Sequence, residues 1–71
     1  MRFNKEDQVE FEDVLLKHAT DKALLCVIDG VEHWFPKSQV HADSELFSDK
    51  QVGETGKLVV TEWIAKQKNL I

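Results

Sequence analysis

Asp29-Gly30 stands between two runs rich in large apolar residues, Ala23-Leu24-Leu25-Cys26-Val27-Ile28 before it and Val31-Glu32-His33-Trp34-Phe35 after it. A two-residue Asp-Gly loop supplies the positive φ angles of a type I′ turn, the turn whose twist matches that of antiparallel strands. The turn dictates the register. Ile28 is expected opposite Val31, Val27 opposite Glu32, Cys26 opposite His33, Leu25 opposite Trp34 and Leu24 opposite Phe35. One face of the hairpin then carries Leu24, Cys26, Ile28, Val31, His33 and Phe35, and the other carries Ala23, Leu25, Val27, Glu32 and Trp34. Both faces are largely apolar, so the hairpin must be covered on both sides or curl into a small barrel.

The rest of the chain has to supply that cover. Seventy-one residues make one domain at most, and a chain this short buries only about 60% of the surface that its unfolded form exposes. Residues 1–8 read as a loose arm, with Phe3 docking at most, and 9–71 as the domain. The segment 9–18 fits either period. Phe11, Val14, Leu15 and His18 match helical spacing, whereas Val9, Phe11, Asp13 and Leu15 fall on one face of a strand, with Glu10, Glu12, Val14 and Leu16 on the other. The polar turn Ala19-Thr20-Asp21-Lys22, leading straight into the next apolar run, favours the strand. Pro36 ends the hairpin ladder because it has no N–H to donate, and Lys37–Val40 is a corner or a short new strand. Residues 41–56 are a long polar excursion with room for one short strand around 44–48. Lys57–Val60 resumes strand character, and Thr61 can cap a final helix. There Glu62 and Lys66 form an i, i+4 pair, and Trp63, Ile64 and Leu70 point inward. The fold class is mainly β (α+β), a small antiparallel sheet or partly open barrel with one C-terminal helix.

Composition excludes several function classes. Thirteen acids against nine bases give a net charge of −4, which argues against a DNA-coating protein or a polybasic membrane anchor. No apolar run approaches the roughly 18 residues of a membrane helix, and MRFNKEDQVE has no apolar core of the signal-peptide kind. The lone Cys26 excludes an internal disulfide framework and suggests a reducing, cytoplasmic setting.

Chemistry finds few footholds. Cys26 and His33 are expected cross-strand neighbours, but zinc wants three or four ligands, and only His18 and His41 remain, without paired spacing. A Cys-His nucleophile needs a lowered thiol pKa, an orienting third group and a cleft that so small a fold hardly affords. Gly53-Glu54-Thr55-Gly56-Lys57 lacks the spacing of a phosphate loop, and Leu58 stands where Ser or Thr would be. We therefore expect no catalytic residue, metal or cofactor. Nothing in the sequence buries one of Glu10, Glu12 and Asp13 while exposing another, as an acid–base pair requires, so they read as an acidic face.

The run Ile28-Asp29-Gly30-Val31-Glu32-His33-Trp34-Phe35-Pro36-Lys37-Ser38-Gln39-Val40 resembles a pattern of short phage and prophage proteins: I-D-G, three variable positions, W, an aliphatic, then P-K-S-Q and an aliphatic. Asp43-Ser44-Glu45 and the closing Gly56–Ala65 segment are similar to the downstream portions of such proteins. The likeness covers about two thirds of the chain, from Ala23 onward, and departs at Phe35 and at Lys66-Gln67-Lys68. It implies a small mostly-β domain in a phage or mobile-element setting, and no catalytic residues.

Two functions compete. The first is a protein-binding module that blocks or redirects a host nucleic-acid-handling or defence complex. Its acids Glu10, Glu12, Asp13, Asp43, Glu45 and Asp49 would meet a basic surface, with Phe47 as an apolar anchor. The alternative is a single-stranded nucleic-acid accessory protein, with Trp34 as stacking platform and Lys37, Ser38 and Gln39 beside it. Net charge favours the first. A homodimer is a further option, since the two-faced hairpin can be covered by a second copy.

Overall fold

The computed structural model describes the backbone of residues 2–5 and all of residues 7–71. The elements run β1 (Arg2–Lys5), β2 (Gln8–Ala19), β3 (Ala23–Ile28), β4 (Val31–Pro36), β5 (Thr55–Thr61) and α1 (Glu62–Gln67), with 3-10 turns at Lys37–Gln39 and Asp49–Gln51. All strand pairings are antiparallel. The order is β1-β2-β3-β4, with β5 on the remaining edge of β2. A lone bridge joins Val40 to Val60 on the far side of β5. The chain leaving β4 thus crosses to the opposite edge of one open antiparallel sheet.

The hairpin register is the one the turn dictates, from Ile28↔Val31 to Ala23↔Pro36. Asp29 and Gly30 have φ of 51° and 81°, as a type I′ turn requires. Pro36 belongs to the strand rather than lying beyond it. It sits at a position whose N–H would point away from β3, so the ladder loses nothing.

Residues 9–18 are strand, within a long β2 whose faces are not the regular ones. Phe11 pairs with Leu58 and Val14 with Gly56, so Glu12 and Asp13 together oppose the single residue Lys57. Asp13 takes φ 55°. This bulge adds one residue to the strand and swaps its faces. Val9 and Phe11 before it, and Val14 and Leu16 after it, all enter the core, while Glu12 and Asp13 stay exposed. The face grouping is therefore corrected from Asp13 onward: Val14 and Leu16, not Asp13 and Leu15, share the face of Val9 and Phe11.

Residues 2–5, read from the sequence as part of an arm, pair with β2 as β1. They occupy the stretch of β2 edge that β3 leaves open, because β3 pairs only with residues 15–19 of β2. Backbone donors along an open edge favour such a cover. Met1, Glu6 and the side chain of Phe3 lie outside the described residues.

The core combines Val9, Phe11, Val14 and Leu16 with Leu24, Cys26, Ile28, Phe35, Val40, Leu46, Leu58 and Val60, closed by Ile64 and Ala65 of α1. Thr61 caps the helix by accepting from the Ile64 N–H at 3.2 Å. Leu70 packs against the core as expected. Trp63 does not; it is 59% exposed. Ile64 and Ala65 fill the inward arc of this short helix, which leaves Trp63 beside Lys66 on the outer one. No strand forms at 44–48. The Ser44 hydroxyl takes the place of a backbone partner there, donating to the Val59 carbonyl at 3.0 Å and accepting from the Val59 N–H at 2.8 Å. Leu46 then turns inward and is buried.

Candidate interaction surface

The bulge decides where the acids go. Glu12 and Asp13 project from β2 opposite Lys57, and both are exposed. Glu45 reaches the same Lys57 from the other edge of β5. Its Oε1 accepts the Lys57 N–H at 2.7 Å, and its own N–H donates to the Lys57 carbonyl at 2.8 Å. Gly56 makes that approach feasible, since a Cβ there would stand 3.0 Å from the Glu45 carboxylate oxygen. Asp43 lies two residues earlier on the same loop, its Oδ2 3.4 Å from Nδ1 of His41. Register therefore sets Glu12 and Asp13 on one edge of β5 and Glu45 on the other, both at the level of Lys57, while Asp43 stands beside His41, whose N–H donates to the Val59 carbonyl.

Glu10 does not belong with them. It is 2% exposed, centred between β1 and β5 and opposite the buried Val59. Sequence alternation places it beside Glu12, but a strand flanked on both edges leaves its middle no route to water. A buried carboxylate needs a partner, and Glu10 has one, as does Glu12.

Asp49 and Phe47 form a second, separate group. Asp49 opens the 3-10 turn that Ser48 and Gln51 cap reciprocally. It shares a shallow depression of about 130 Å³ with Ala19, Thr20, Asp21 and Lys37. Phe47 is partly exposed, with the Lys37 ammonium 5.9 Å from its ring centroid. Lys37 and Phe47, assigned to rival functions from the sequence, are thus contact partners.

The other candidates are dispersed. Trp34 is 45% exposed on the outer face of β4. Gln39 is committed to the fold, its Oε1 accepting from the Thr61 hydroxyl at 2.6 Å. Ser38 is exposed on the corner turn. Lys17 pairs with Glu32 across the outer face of the sheet. Cys26 faces His33 in register, and burial pushes its thiol up to about 12, the opposite of what a nucleophile needs. Among the described residues no three His, Cys, Asp or Glu side chains are gathered as a metal site would gather them. No helix among them is long and apolar enough to cross a membrane.

One surface is not anticipated by the sequence. Asp7, Thr61, Glu62, Trp63 and Lys66 line an open depression of about 280 Å³. The Glu62–Lys66 pair, 3.3 Å apart, marks the wet side of α1. Since Trp63 lies three residues before Lys66, that pair was the available signal for its exposure. No known protein family, curated protein or solved structure matches this chain.

Proposed function

We propose that this protein is a small non-enzymatic binding module of phage type, acting in the cytoplasm of a host cell. It docks the acidic end of its sheet on a basic surface of a host nucleic-acid-handling or defence complex and so inhibits or redirects it. The observation that carries this reading is the β2 bulge. It leaves Glu12 and Asp13 exposed opposite Lys57, and Glu45 meets the same Lys57 from the other edge of β5. Bulges re-aim side chains at a cost in regularity, and here both carboxylates of the bulge are left exposed. Clustered charge speeds encounter with an oppositely charged surface.

Pull-down from host lysate at low salt, with the wild type and with Glu12→Lys/Asp13→Lys, tests the reading. A host protein retained by the wild type, lost to the double variant and released at high salt is the expected result. Retention that ignores both the variant and the salt overturns it.

The nucleic-acid reading keeps one observation of its own, the outward ring of Trp34. In a Trp63→Phe background, quenching of Trp34 fluorescence by single-stranded oligonucleotides at low salt would favour it. An unchanged signal up to high micromolar strand would dismiss it.

A further inference from the structure

Strand β4 ends the sheet, and its outer edge is open. In a hairpin with a two-residue turn, the residues flanking the turn exchange both backbone hydrogen bonds, and bonded pairs then alternate along the ladder. Ile28–Val31, Cys26–His33 and Leu24–Phe35 are therefore the bonded pairs. The Lys37 N–H, donating to the Lys22 carbonyl at 2.8 Å, continues the same alternation. The N–H and C=O groups of Glu32 and Trp34, and the C=O of Pro36, consequently aim away from β3. Among the described residues no backbone hydrogen bond meets them.

We infer that this edge is a self-association site, at which β4 of a second copy of the chain pairs antiparallel and joins the two sheets into one. Three two-fold registers would align the outward-pointing groups of Glu32 and Trp34 with one another. Glu32 opposite Glu32 sets like charges face to face, which destabilises a strand pair. Trp34 opposite Trp34 brings Glu32 against Pro36, which has no N–H to give. Glu32 opposite Trp34 of the second copy gives four backbone bonds with His33 on the axis and leaves no N–H or C=O of these two residues unmet. That register also brings Val31, 55% exposed, to the seam between the copies.

Charge points to an identical partner. Glu32 is the one carboxylate on β4, and Lys17 already neutralises it, so the edge lacks the unpaired charge that normally guards an open strand. The acidic bulge lies on β2, two strands away or about 10 Å across the sheet. The two bulges in such a dimer stand roughly 25 Å apart, about three Debye lengths at physiological salt. The charge of −4 on each copy therefore hardly opposes association. This inference stands independently of the proposed docking of the acidic end.

A single strand edge is a small interface, so self-association is expected in the micromolar range and is sought between about 10 μM and 1 mM chain. Sedimentation velocity and amide NMR of the full chain over that range test it. The expected result is a concentration-dependent dimer in which the Glu32 and Trp34 amides shift and gain protection from exchange. His33→Lys, which sets two ammonium groups across the axis, should weaken association at least tenfold while the spectrum stays folded. Trp34→Pro removes the outward N–H together with the indole and should do the same, whereas Trp34→Ala, which loses the ring and keeps the N–H, should still associate. A chain that stays monomeric throughout overturns the inference. So does a dimer that leaves those two amides unchanged or survives His33→Lys undiminished.

Discussion

Leu25 and Trp34 face each other across the β3–β4 ladder, yet Leu25 is 7% exposed and Trp34 45%. The pair lies on the outer side of the sheet, where His18 is the next register partner of Leu25. Edge position accounts for the difference. Leu25 has strands on both sides, whereas Trp34 has one only. Trp34→Ala should therefore cost about 1–2 kcal/mol, well below the 3–5 kcal/mol of a fully buried tryptophan. Urea unfolding measures it, and a cost near the upper figure would show the ring to be core.

Gly30 carries φ 81°, and a Cβ built there meets nothing within 4 Å. The cost of a side chain is thus conformational rather than steric. Gly30→Val should destabilise by about 1–3 kcal/mol, and thermal melts should show Gly30→Asn, which tolerates positive φ, losing far less.

Ser44 holds both backbone groups of Val59 through one hydroxyl. Val59 is fully buried, so Ser44→Ala leaves a donor without its partner and weakens the carbonyl's bonding. The expected loss is about 1–3 kcal/mol. Hydrogen exchange at the Val59 amide should accelerate more than at Val9 or Leu16; equal acceleration throughout would refute a local role.

Burial raises the Cys26 thiol from 9.0 to about 12, so folding favours its protonated form. The stability this secures is complete below pH 9, where the unfolded chain also keeps its proton. It is lost as pH rises from 9 toward 12, because the unfolded thiol ionises first. The stability advantage of wild type over Cys26→Ala should shrink across that window in alkaline denaturant titrations. A constant difference would mean that the thiol does not titrate in this way.

Glu10 and Glu12 lie two residues apart but in opposite environments, one buried and one exposed. Both are engaged by partners, yet only Glu10 is desolvated. Glu10→Ala removes a buried, partnered carboxylate and should cost about 1–3 kcal/mol. Glu12→Ala should stay within about 0.5 kcal/mol. Chemical denaturation of the two variants side by side checks the contrast.

Local chemistry is enough to write the hairpin. Asp29-Gly30 has a backbone preference that needs no neighbour, and register is set by a turn of fixed length, so every pair from Leu24↔Phe35 to Ile28↔Val31 is legible in the residues alone. The Thr61 cap and the Glu62–Lys66 pair are local in the same sense. Other features arise only where two distant segments meet. The bulge at Glu12-Asp13 appears because β2 must offer Val9, Phe11, Val14 and Leu16 to one core while pairing with β5, and no local signal marks that slip. Glu10 sinks, and residues 2–5 become a strand, because β3 covers only half of β2. Trp63 turns outward because Ile64 and Ala65 already fill the space beneath a six-residue helix. Burial is shared among all the elements that enclose a site, so no short stretch of chain can encode it alone.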